Sequence, residues 1–164
     1  MTENARSPFL VEEGRIYLIF SEKSELYEAV ESLGFGKVMK KESGEPFLSD
    51  SPYHISLTHK DRAGVAAISR EKVGVDMENV TVPRNVERLS RLFCEEERPA
   101  SLYEFYKVWT GKEATGKMLG TGITADLLKS KTAGVRYLEF GDYLVGIVGE
   151  GEIQIKEYGK ENKE

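Results

Sequence analysis

At 164 residues, the chain has the length of one compact domain or of two small halves sharing a core. An apolar share of 40% and a charged share of 31% exclude a disordered chain, and no apolar run nears the roughly 18 residues of a membrane helix. The net charge of −5 argues against duplex nucleic acid as the main partner, and the single cysteine, Cys94, permits no internal disulfide and fits a reducing cytoplasm.

Met1 to Pro8 lack a charged lead followed by an apolar core, so no secretory signal is expected there. Arg15 to Phe20, β-branched and aromatic between Gly14 and Ser21, predicts a strand. Leu26, Ala29, Val30 and Leu33 recur at helical spacing, with Ser21 or Ser24 as cap and Gly34 as the stop. Lys37 to Lys41 fits either state, and Gly44-Glu-Pro46 marks a turn. His54 to Thr58 and Gly64 to Ser69 predict two strands joined by the polar loop His59-Lys-Asp-Arg62. Lys72 to Val80 predicts another strand. Val82-Pro83 opens a helix with Val86, Leu89, Leu92 and Phe93 as its apolar stripe, broken at Cys94 to Pro99. Ser101-Leu-Tyr-Glu104 is a capping box, and it starts the longest helix, Leu102 to Leu119, closed by Gly120 and Gly122. Val135 to Phe140 and Tyr143 to Val148 predict a hairpin turning at Gly141-Asp142. Ile153 to Ile155 adds a short strand and Gly159 to Glu164 a charged tail. The pattern is α+β with mainly antiparallel pairing, divided into residues 1–73, 74–158 and the tail 159–164.

Two segments carry chemistry. Alternate side chains of a strand share a face, so Asp76 and Glu78 point one way while Val75 and Met77 point into a core. Two adjacent acids repel unless a cation or a base sits between them, and hard oxygen ligands suit Mg²⁺. Taken alone, the pair is better explained by an edge strand with a solvated acidic face. On the long helix, Trp109, Lys112, Glu113, Gly116 and Lys117 fall on a single face. Glu113 and Lys117 also make an ordinary i, i+4 pair, worth roughly 0.3–0.5 kcal/mol when exposed. Gly111 and Gly116 each cost a helix interior about 1 kcal/mol relative to alanine. Close approach of a ligand or of a neighbouring strand accounts for them. Trp109 is expected in the core. His59, beside Thr58 and Lys60, offers a phosphate-binding group or an ordinary hairpin loop. Three carboxylates and two lysines together suit chemistry on a diphosphate.

In order along the chain stand Ile55-Ser-Leu-Thr58-His59, Gly74-Val-Asp76-Met-Glu78, Phe93 with Glu95 to Glu97, and Trp109-x-x-Lys112-Glu113-Ala-x-x-Lys117 with Gly120-Thr-Gly122. Together they resemble the motifs of the 4′-phosphopantetheinyl transferase superfamily, in the order of its surfactin-type members and in a short variant. The resemblance covers about Gly44 to Ile123. It implies two similar α+β halves related by pseudo-twofold symmetry, each a mainly antiparallel sheet packed with a long helix. It implies an enzyme that moves 4′-phosphopantetheine from coenzyme A to a serine of an apo acyl or peptidyl carrier protein, releasing 3′,5′-ADP. By the same resemblance Asp76, Glu78 and Glu113 ligate Mg²⁺, with Mn²⁺ as the alternative. Glu113, Lys117 and Asp76 form the catalytic set, Glu113 helping to deprotonate the carrier serine. Thr58, His59, Lys112 and Lys117 bind coenzyme A and its diphosphate. The expected partners are coenzyme A and a carrier from fatty acid, polyketide or nonribosomal peptide synthesis, with no nucleic acid and no membrane. The expected state is a cytoplasmic monomer. Arg84, Arg88 and Arg91 share one side of their predicted helix and offer a docking face for acidic carriers, although a solvated helix face accounts for them as well. Glu45 stands where the family often carries lysine, and the chain is short. Both facts keep open a second expectation, a catalytically degenerate relative that binds carrier protein or a nucleotide without transfer.

Overall fold

The computed structural model describes residues 12–159, so the N-terminal stretch read for a signal and the tail beyond residue 159 lie outside the described residues. The elements in chain order are β1 (Arg15–Glu22), α1 (Leu26–Ser32), β2 (Lys37–Lys40), β3 (Pro46–Ser49), β4 (His54–Lys60), β5 (Ala63–Ser69) and β6 (Gly74–Asn79), then α2 (Val86–Leu89), α3 (Leu102–Leu119), α4 (Ala125–Lys129), β7 (Val135–Phe140), β8 (Tyr143–Val148) and β9 (Glu152–Glu157). They form a mixed α+β structure in two compact units, residues 12–73 with 150–159 and residues 74–149. Among the described residues no helix is long and apolar enough to cross a membrane.

The first unit holds a sheet in the order β4-β5-β1-β9 and a separate β2-β3 hairpin. Alternation along β1 buries Ile16 and Leu18, and α1 contributes Leu26, Ala29 and Val30 to the unit's core. The helix is only seven residues long against eighteen for α3, because Gly34 follows it in a left-handed conformation. A two-residue turn at Asp61-Arg62 suffices to join β4 and β5, whose last pair is Lys60 with Ala63. His59 and Lys60 therefore stand on a strand rather than in the expected loop. The last strand, β9, runs parallel to β1, with Ile153 opposite Ile16. Nothing local in its sequence distinguishes that partner from β8.

The second unit is a three-stranded antiparallel sheet, order β6-β8-β7, with α3 packed on one face. Gly74, Asp76 and Glu78 alternate onto one face, opposite Val148, Gly146 and Leu144 on β8. A Cβ at Gly74 would overlap the Ala114 carbonyl, and one at Gly146 would lie 2.8 Å from Thr110 Cγ2. The two glycines thus let α3 lie directly on the face that carries the acids. The helix begins where its capping residues require: Ser101 Oγ accepts from Glu104 N at 3.1 Å, and the Glu104 carboxylate accepts from Ala100 N at 2.8 Å. It ends at Gly120, whose φ of 76° only glycine adopts at little cost. Packing also explains both interior glycines. A Cβ at Gly111 would sit 2.9 Å from the Tyr137 hydroxyl, and one at Gly116 would sit 2.5 Å from the Gly122 carbonyl oxygen.

One expectation fails here, and one element was not foreseen. The helix expected from Val82 onward is one α-turn, Val86–Leu89, capped by Asn85 and followed by a 3₁₀ turn at Ser90–Leu92. Arg84 precedes it. The Asn85 side chain accepts from Arg88 N and fixes the start four residues later than the Val82-Pro83 signal suggests. The short helix α4, capped by the Thr124 hydroxyl accepting from Leu127 N, has too few residues to show a period in the sequence.

Candidate active site

The acids of β6 are not a solvated edge. β6 is the outer strand of its sheet, yet Asp76 is 7% and Glu78 8% exposed, because α3 covers the face they share. Lys117, one helical turn beyond Glu113, reaches across to Asp76, with Nζ 3.5 Å from Oδ1. Burial pushes the Asp76 carboxyl up to about 7; the Lys117 charge opposes that rise, while the charges of Glu78 and Glu113 add to it. The four groups therefore share one electrostatic neighbourhood: three carboxylates and one ammonium, gathered by a strand and the helix laid on it.

Lys112 does not join them. Its side chain is 0% exposed. Its ammonium donates to Glu97 Oε1 at 2.7 Å, to the carbonyls of Leu127 and Ser130 at 2.8 Å each, and to Thr132 Oγ1 at 2.9 Å. It also lies 5.5 Å from the centre of the Phe93 ring. An ammonium has three protons to donate, and all are committed inside the fold. The expected contact of Lys112 with a diphosphate is corrected on this ground. Instead the residue ties α3 to the Glu95–Glu97 turn and to the end of α4. Burial pushes the Glu97 carboxyl up, but the hydrogen bonds from Lys112 and from the Thr132 N–H outweigh it and hold it below the usual glutamate value. Glu97 is a residue whose part the sequence did not reveal. It stood inside an acidic run, and nothing local marked which of the three glutamates turns inward.

The remaining expected residues are placed as follows. Thr58 is buried and His59 exposed, on opposite faces of β4 in the first unit, because neighbouring strand residues alternate. They cannot grip one group as adjacent fingers of a loop. Arg84 lies 3.3 Å from the Tyr106 hydroxyl, and Arg91 lies 4.0 Å from Glu87 in a fully solvated pair. With Arg84 outside α2, the three arginines form no single helical face. Trp109 is half-buried and stacks on Phe105, with ring centres 6.1 Å apart, as part of the unit's aromatic core.

Among the described residues, no three His, Cys, Asp or Glu side chains stand as a finished metal cage. The donor chemistry nevertheless fits Mg²⁺. That ion keeps several of its waters and takes one or two carboxylates plus substrate phosphate rather than an all-protein cage. Asp76, a desolvated carboxylate pressed by two others, has the environment that a divalent cation relieves.

Comparison with known proteins agrees with this geometry. Residues 72–151, which contain every member of the acidic cluster, match the family model of the 4′-phosphopantetheinyl transferase superfamily. That stretch of the chain is similar to the superfamily. Among curated proteins, the 4′-phosphopantetheinyl transferase gsp of Aneurinibacillus migulanus is 30% identical over 92 residues, covering 51% of this chain. The matched segment spans 38% of that relative's length.

Proposed function

We propose that the chain transfers the 4′-phosphopantetheine group of coenzyme A to a serine hydroxyl of an apo acyl or peptidyl carrier protein, with 3′,5′-ADP as the leaving group. The observation that carries this reading is the convergence of Asp76, Glu78, Glu113 and Lys117 between β6 and α3. Asp76 and Glu113, with Glu78, would hold Mg²⁺, or Mn²⁺ in its place. When bound, the cation neutralises diphosphate charge and favours departure of the nucleotide phosphate. Lys117 is the ammonium of this cluster that stays partly exposed, and it stabilises charge on the diphosphate as the phosphorus–oxygen bond breaks. Glu113 accepts the carrier serine proton, directly or through water, as the serine oxygen bonds to phosphorus. For Thr58 and His59 the motif supports a part in holding coenzyme A phosphates. Exposed Arg88 and Arg91 support docking of an acidic carrier. A cytoplasmic monomer is the setting we infer.

A second reading, binding without transfer, draws on Glu45. Nearby Lys41 has its ammonium 3.4 Å from the Glu45 carboxylate. One assay separates the two. The purified chain, coenzyme A, Mg²⁺ and a panel of apo carriers are incubated and read by intact mass. Addition of one phosphopantetheine, lost in Glu113→Gln, supports transfer. Coenzyme A or carrier binding with no mass gain from any carrier supports the second reading and defeats the first.

A further inference from the structure

Thr110 is fully buried on α3, and its hydroxyl makes no hydrogen bond among the described residues. That is unusual for a helical threonine, which ordinarily turns its hydroxyl back to the carbonyl four residues earlier. Thr115 in the same helix does so, donating to the Gly111 carbonyl at 2.7 Å. The cause at Thr110 is visible in the packing. Its methyl is seated on Gly146, where a Cβ would come within 2.8 Å of Cγ2. The methyl thus faces the sheet, and the hydroxyl on the same Cβ is buried with it. An orphaned buried hydroxyl destabilises the fold, because its desolvation is uncompensated, and valine would fill the same space without it.

The surroundings suggest why the hydroxyl is kept. Tyr106, Thr110, Glu113 and Lys117 lie on one row of α3, at i, i+4, i+7 and i+11. Both ends of the row are tied to the chain of β6 and its continuation. Tyr106 donates to the Val82 carbonyl at 2.6 Å, and Lys117 pairs with Asp76. Thr110 stands between them, one turn before Glu113. Gly146, the residue it sits on, is the cross-strand partner of Asp76.

We propose that Thr110 is a positioning residue of the acidic site. Its hydroxyl reaches the Asp76 carboxylate through one water, and fixes how that carboxylate meets a cation. This rests on the metal-binding reading of Asp76 given above. The test uses the whole chain, wild type and the variants Thr110→Val and Thr110→Ser. Two readouts are taken: thermal unfolding without metal, and Mn²⁺ binding followed by its electron paramagnetic resonance with coenzyme A present. The expected result is that Thr110→Val unfolds at or above the wild-type temperature yet binds Mn²⁺ about 10-fold more weakly, as loss of a hydrogen-bond partner behind a metal ligand typically does. Thr110→Ser keeps the wild-type affinity. Thr110→Val binding Mn²⁺ as wild type does overturns the assignment and leaves the metal reading standing. Thr110→Val unfolding well below wild type marks the hydroxyl as structural and also overturns it. A wild-type chain that binds no Mn²⁺ overturns both.

Discussion

Replacing Asp76 by asparagine should make the metal-free protein more stable at pH 8. The reason lies in where the carboxylate sits. Burial under α3, reinforced by the charges of Glu78 and Glu113, raises its pKa from 3.8 to about 7 despite Lys117. In the unfolded chain the group loses its proton near 3.8. Between these values the folded state binds more protons than the unfolded one, so stability falls as pH rises. The contribution is fully present below 3.8 and lost once pH passes about 7. At about 1.4 kcal/mol per pH unit, the loss amounts to about 4 kcal/mol. Asparagine is never charged, so Asp76→Asn should unfold about 2–4 kcal/mol less readily than wild type at pH 8 and almost equally at pH 4. Urea unfolding in EDTA across that range measures it. Adding Mg²⁺ at pH 8 should restore stability to wild type alone, since a cation that binds only the folded state stabilises it. A wild type whose stability does not change between pH 4 and 8, or a variant no more stable at pH 8, refutes the reasoning. Glu97 acts with the opposite sign. Its pKa is lowered, so its stabilisation is present above the ordinary glutamate range and lost as pH falls through the folded value. That acid-side loss should persist in Asp76→Asn.

Four further outcomes are expected. Lys112→Met leaves the Glu97 carboxylate without its ammonium and should cost about 3–5 kcal/mol in urea unfolding, with the Lys112→Met, Glu97→Gln double variant recovering part of it. Lys112→Arg should not rescue, because a planar guanidinium does not match four acceptors ranged around one nitrogen. Gly74→Ala drives a methyl into the Ala114 carbonyl and should cost about 3 kcal/mol or more, measured by the same unfolding. Reversing the charge of Arg88 and Arg91 should raise KM for the carrier and leave KM for coenzyme A unchanged in steady-state assays; unaltered carrier kinetics would remove these residues from docking.

The sequence by itself determined α3 from cap to stop, because a capping box and a terminal glycine are local devices. It determined the β7-β8 hairpin for the same reason, with Gly141 at positive φ in the turn. It also placed Asp76 and Glu78 on one face, since strand alternation needs no partner. What it could not decide was which way each face looks. Lys112 and Lys117 share a motif and nearly a face, but the turn of Glu97, the carbonyls after α4 and the ring of Phe93 draw the first inward. The second leans across the sheet edge to Asp76. Those partners lie 15 to 41 positions away, as does the Gly146 notch that holds Thr110, and the β1 strand that claims β9 lies farther off still. Burial and pairing between distant segments are properties of the assembled fold. The motif names the groups, and only their packing decides which are free to meet a substrate.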